Sequence, residues 1–147
     1  MRAAVVGHVL DPARLLAEVS SPAFGATSLF LGTVRNVNEG RDVKGIEYTA
    51  YTTMAIAELD RIVHEAAERF GTDRIVVEHR VGTLGLGDAS VAIAVAHERR
   101  TQAMDASRYI IEEVKKRVPI WKREHYADGT REWVDPTRAG QPMKLGR

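Results

Sequence analysis

Lys115, Lys116, Arg117, Lys122 and Arg123 crowd between positions 115 and 123, split by the apolar run Val118, Pro119, Ile120 and Trp121. The formal net charge of the 147-residue chain is only +1, so this concentration is local and not part of a broad basic field. At about 100° per residue on a helix, Lys115 falls at the edge of the stripe formed by Ile111, Val114 and Val118, whereas Lys116 points nearly opposite. An ammonium at the rim of an apolar face is partly desolvated, which disfavours its charged form and suits it to act as a base or nucleophile near neutral pH. Lys116 is expected to be simply solvated.

Pro119 cannot continue a helix, so Lys122 follows in an extended segment from which its ammonium can return toward Lys115. Two such groups in one pocket lower each other's pKa and attract an anion. The same residues also suit a plainer role, because basic side chains in a last helical turn complement the helix dipole. Arg35 adds a cation where a strand runs into "RNVNEG", a loop able to present backbone N–H groups. Arg99 and Arg100 stand just before a long helix, where free N–H groups already favour anions. A surface ion pair is the alternative for each arginine.

Other chemistries are excluded or weak. The chain has no cysteine, which removes disulfides, thiolate metal sites, cysteine nucleophiles and persulfide carriers. His79 alternates with Ile75, Val77 and Val81 and reads as a hydrogen-bonded core histidine. His97 lies near the arginines, while His8, His64 and His125 have no partner at a metal-ligand spacing. There is no phosphate-loop signature, no Ser-centred elbow and no zinc motif, so neither a metal nor a resident cofactor is expected. No apolar stretch approaches the roughly 20 residues of a spanning helix, and the start lacks a cleavage-site pattern. A cytoplasmic protein is expected.

The elements that must position these residues follow from hydrophobic period. Residues 2–10 read as a strand, 11–20 as a short helix with Asp11 as cap and Pro12 at its first position, and 25–34 and 43–51 as a strand pair around the polar loop 35–42. Thr52 and Thr53 are expected to cap a long helix with Ile56, Leu59, Val63, Ala66 and Phe70 on its buried side, ended by Gly71. Strands 74–82 and 90–98 flank "TLGLGD", read as a turn. In the second of them Val91, Ile93 and Val95 face one way and alanines the other, which suits a strand covered on both sides. Thr101 opens a second long helix with Met104, Ser107, Ile110, Ile111, Val114 and Val118 as its stripe. "IWKREHY" and "TREWV" around "ADG" read as a hairpin. The pattern predicts an α+β fold with a mainly antiparallel sheet and two long helices. One domain over residues 1–135 and a mobile tail over 136–147 are expected.

Together, "FLGTVRNVNEG" (30–40), "EYTAYTTMAIAELDRI" (47–62), "HRVGTLGLGD" (79–88), the arginine pair before the second long helix, and "KKRVPIWKRE" (115–124) followed by "REWV" resemble the large, catalytic subunit of molybdopterin synthase. The resemblance implies an α/β hammerhead fold and a sulfurtransferase that converts cyclic pyranopterin monophosphate to molybdopterin. The two sulfurs would come from the thiocarboxylated C-terminus of a small ubiquitin-like partner, docked at each end of a homodimer core to make a heterotetramer. It implies catalytic roles for Lys115 and Lys122 and substrate binding by Arg35 and Arg100. Where that family commonly has His-Arg this chain has Arg99-Arg100, so either Arg99 or His97 fills the place of the imidazole. The alternative from another class is a non-catalytic module whose basic patch binds RNA or an acidic partner. Aromatic residues are only 6% of the chain, which counts against base stacking.

Overall fold

A computed structural model describes residues 1–134 together with 142 and 143. Strand β1 (Arg2–Val6) is followed by helix α1 (Pro12–Val19), β2 (Ala26–Thr33), β3 (Val37–Asn38) and β4 (Arg41–Ala50). Helix α2 (Thr52–Phe70), β5 (Ile75–Arg80), β6 (Gly82–Gly85), β7 (Ala89–His97) and α3 (Arg100–Arg117) come next. The described chain closes with β8 (Ile120–Tyr126), β9 (Arg131–Val134) and β10 (Pro142–Met143). The tail expected over 136–147 otherwise lies outside the described residues.

Two sheets divide the work. The first has the order β1-β5-β7-β2, with β1 and β5 parallel and the other pairs antiparallel. The two-faced composition of β7 explains why it sits inside. Val91, Ile93 and Val95 pack with Leu59, Ile62 and Val63 of α2 and Ala106, Ile110 and Val114 of α3, while Ala92, Ala94 and Ala96 face Leu15 and Val19 of α1. Each fully buried aliphatic side chain in that larger cluster contributes about 1.5–3 kcal/mol. The second sheet runs β10-β9-β8-β4-β3, with β6 also paired to β4, and its register sets Tyr48 opposite Lys122.

Several expectations need correction. Residues 25–34 and 43–51 do not pair with each other. β2 belongs to the first sheet, paired with β7 through a bulge between Gly32 and Thr33, and β4 belongs to the second, where its hairpin partner is the short β3. Half of the expected loop 35–42 is therefore strand, around a tight turn with Glu39 and Gly40 at φ of 49° and 78°. "TLGLGD" is a strand before it is a turn: β6 pairs with β4, and Asp88 then accepts from the Gly85 N–H at 2.9 Å. Neither threonine caps α2, whose N-cap is Tyr51 without a side-chain bond; Gly71 does end it, in the left-handed region. Met104 is 62% exposed. The buried stripe of α3 instead runs through Ala103, Ala106, Ser107, Ile110 and Val114, of which the small Ala103, Ala106 and Ser107 suit a close approach to the sheet. Asp11 caps α1 and Pro119 follows the end of α3 as expected, and β8 and β9 form the hairpin around Gly129.

Candidate functional site

A cavity of about 150 Å³ opens between the two sheets at the C-terminal end of α3. Gly32 and Thr33 from the end of β2, Arg35 beyond it, and Val37 and Asn38 of β3 form one side. Ile46 and Tyr48 of β4, Lys122 and Glu124 of β8, and Lys115 of α3 form the other. A smaller cavity of about 20 Å³ lies behind it, bounded by His79, Ser90, Val91, Ile111, Val114, Val118 and Ile120. Tyr48, Ser90, Lys115 and Lys122 border both. The strand after Pro119 thus carries Lys122 back to the helix end, as its extended conformation allows.

The two lysines stand in different surroundings. Desolvation first, then the charges of Lys122 and Arg35, hold the Lys115 ammonium below its ordinary pKa. Lys122 Nζ instead lies 3.2 Å from Glu124 Oε1. Glu124 is 1% exposed and accepts at Oε2 from Asn38 Nδ2 at 2.7 Å and from the Tyr126 hydroxyl at 2.8 Å. Burial works to raise its carboxyl; the hydrogen bond from Tyr126, the charge of Lys122 and the bond from Asn38 outweigh it and hold the group below the usual range. Burial first, then its hydrogen bond to Glu124, push Tyr126 up to about 12. Lys116 is 70% exposed at its side chain and pairs with Glu113 on the far side of the helix.

The apolar lining of the inner cavity is Val91, Ile111, Val114, Val118 and Ile120. Trp121 points to the opposite face of β8, edge-on to Tyr51 with ring centroids 4.8 Å apart, because alternate residues of a strand face opposite ways. His79 is buried, and its Nδ1–H donates to the Arg80 carbonyl at 3.0 Å, as a core histidine should. It also borders the inner cavity, and burial first, followed by the charge of Lys115, lowers it to about 4.

Arg99 and Arg100 are not brought to this site. They line a separate open depression with Gly25, Ala26, Glu98, Thr101 and Gln102 at the N-terminal end of α3, and fifteen helical residues put Arg100 roughly 22 Å from Lys115. His97 is at that same end, its Nδ1 accepting from the Arg99 N–H at 2.9 Å while its ring stacks on Phe24. One chain therefore unites Arg35, Lys115 and Lys122 but not Arg99, Arg100 or His97. The residues missed in the sequence are Glu124, Asn38 and Tyr126. Glu124 was detectable as the same-face neighbour of Lys122 two positions along a strand.

The sequence profile described as MoaE protein matches residues 5–117. The chain belongs to the MoaE protein family. A relative from Emericella nidulans, named molybdopterin synthase catalytic subunit, is 41% identical over 86% of this chain and 65% of its own length. One of the same name from Neosartorya fischeri is 44% identical over 84% of this chain and 66% of its own. The chain thus spans slightly less than two thirds of the length of these curated relatives. Among solved structures, a molybdopterin synthase chain from Staphylococcus aureus superposes with a TM-score of 0.83 at 32% identity, over 89% of this chain and 95% of that one. The MoaE-family fold is accordingly the one described above: α+β, with mainly antiparallel sheets.

Proposed function

We propose that the chain, with residues 1–135 as its single domain, is the catalytic subunit of a molybdopterin synthase. It would transfer two sulfurs from the thiocarboxylated C-terminus of a small ubiquitin-like subunit to cyclic pyranopterin monophosphate. The observation that carries the reading is the meeting of Lys115, Lys122 and Arg35 in one cavity, within a family whose curated relatives bear that name. The word subunit in those names presupposes a second chain. A site of three cations suits two anionic reactants, a phosphate diester and a thiocarboxylate, and partial exclusion of water strengthens both interactions. In one transfer the partner's sulfur replaces an oxygen of a carbonyl-level substrate carbon, which leaves as water; in the other it displaces the phosphate oxygen from the neighbouring carbon as the cyclic diester opens, and each time water cleaves the acyl–sulfur bond, leaving the partner with an ordinary carboxylate. Lys115, with its lowered pKa, serves as acid/base or briefly as a covalent amine. Lys122 holds charge on the thiocarboxylate or the opening phosphate. An RNA-binding module would instead call for solvated lysines, whereas Lys122 is paired with a buried carboxylate.

Arg99, Arg100 and His97 enter this reading only through a second copy. β2 is an edge of the first sheet among the described residues, with Leu29 exposed on it and Met104 exposed on α3. Two copies paired antiparallel along β2 would set the start of one strand, beside Arg99 and Arg100, against the end of the other, which leads to Arg35. The test is product analysis by mass spectrometry. The purified chain should be inert with substrate alone or with a partner ending in a carboxylate, and should form the dithiolene with the thiocarboxylated partner at two equivalents per product. Formation from inorganic sulfide at a comparable rate, with no partner present, overturns the reading.

A further inference from the structure

The two lysines of the site differ in what faces them. Lys122 has a carboxylate within 3.2 Å. Lys115 has no ion pair among the described contacts of the site; on its inner side it borders a cavity whose polar lining is His79, Ser90, Tyr48 and Lys122. The His79 Nδ1–H is committed to the Arg80 carbonyl at 3.0 Å, which leaves Nε2 with a bare lone pair in the neutral ring. The ring is held by Tyr48, edge-on with centroids 5.2 Å apart. The Ser90 hydroxyl donates to the Gly32 carbonyl at 3.2 Å, so its oxygen also offers lone pairs. The inner cavity, at about 20 Å³, has room for one water with polar partners around it.

We propose that His79 is a positioning residue for Lys115: its Nε2 accepts, through one water in the inner cavity, a hydrogen bond from the Lys115 side chain. This rests on the reading of Lys115 as the reactive lysine. The consequence is a division of labour between the two amines. A buried carboxylate holds the Lys122 amine in place, whereas a neutral acceptor orients Lys115 without an ion pair. The charged and titratable groups facing this pair are Lys122 and Glu124 from β8, Arg35 beyond β2 and Tyr48 from β4. No acidic group faces His79 across the inner cavity, whose lining contains no Asp or Glu. The ring therefore stays uncharged over the range in which Lys115 would titrate.

The experiment is competitive acetylation of the intact full chain across pH, with each lysine read separately by mass spectrometry, for wild type, His79→Gln and His79→Phe. It needs neither substrate nor partner. His79→Phe keeps a ring against Tyr48 but removes the acceptor, and should move the Lys115 titration down by about one pH unit, the loss of one hydrogen bond to a charged group. His79→Gln, which supplies an acceptor oxygen, should restore it, and Lys116 and Lys122 should stay in place in both. An unchanged Lys115 profile in His79→Phe, or an equal shift in both variants, overturns the proposal, since loss of packing alone would not separate them. Should His79→Phe not fold, nitrogen NMR of the wild-type protein decides: a proton on Nε2 rather than Nδ1 overturns it. A coupled Lys115 in a chain that forms no dithiolene would instead count against the proposed function and leave this inference standing.

Discussion

Glu124→Gln isolates what a buried carboxylate does for the site. The substitution preserves volume but replaces an all-acceptor group with one that has a donor arm. Glu124 accepts from Lys122 at one oxygen and from Asn38 and Tyr126 at the other, so either orientation of the amide sets an NH₂ against at least one donor. The charge-assisted bonds are also lost, at about 1.5–3 kcal/mol for a hydrogen bond to a charged group. For a domain of this size a destabilisation of that order lowers the Tm by roughly 4–10 °C. The pH dependence gives a second signature. The folded carboxyl lies below its ordinary value of 4.5, so its stabilisation is fully present above that pH and lost as pH falls through the folded value. Chemical denaturation of wild type should therefore show a loss of stability on acidification that Glu124→Gln lacks. Turnover should fall at least tenfold, because Lys122 loses the group that aims it. A Tm within 1 °C of wild type together with an unaltered rate would falsify the claim that Glu124 positions Lys122.

Lys115→Ala should nearly abolish product formation with little change in Tm, since a residue at the cavity rim leaves no core void, while Lys116→Ala should be close to silent; equal losses from both would reduce the site to a general charge effect. Arg35→Ala should weaken binding of the phosphorylated substrate by roughly 1.5–3 kcal/mol if one charge-assisted bond is lost, measured by calorimetry, and unchanged affinity would assign Arg35 elsewhere. His79, lowered from 6.5 to about 4, binds its proton more readily when unfolded, so stability should drop as pH falls from 6.5 to about 4, by about 3 kcal/mol at most. His79→Gln should flatten that window, and an identical slope in both proteins would locate the effect in another group.

What the sequence disclosed was local. The wheel separated Lys115 from Lys116 because helical phase depends only on position, and the alternation of β7 announced two covered faces for the same reason. The partners of β2 and β4 were not legible, since strand pairing across long sequence separations leaves no mark on either strand alone. The stripe of α3 passes Met104 by because alanines carry little hydrophobic weight in a pattern while being the residues that let helix and sheet approach. Glu124 hid inside a run read for its positive charge. The separation of Arg100 from Lys115 was legible all along, because both sit on one helix and its rise per residue is fixed.

That rise makes α3 a spacer, and a spacer has a consequence for kinetics. If Arg100 and Lys115 serve one substrate, no single chain holds a whole site, and the specific rate should fall on dilution as copies part. It also allows complementation. Chains bearing Lys115→Ala and chains bearing Arg100→Ala, each deficient alone, would on mixing and exchange form hybrids in which one of the two sites is intact. With random pairing, about a quarter of all sites recover, as two-fold symmetry requires. In a population carrying both alleles, two broken copies would sustain a function that neither can sustain by itself.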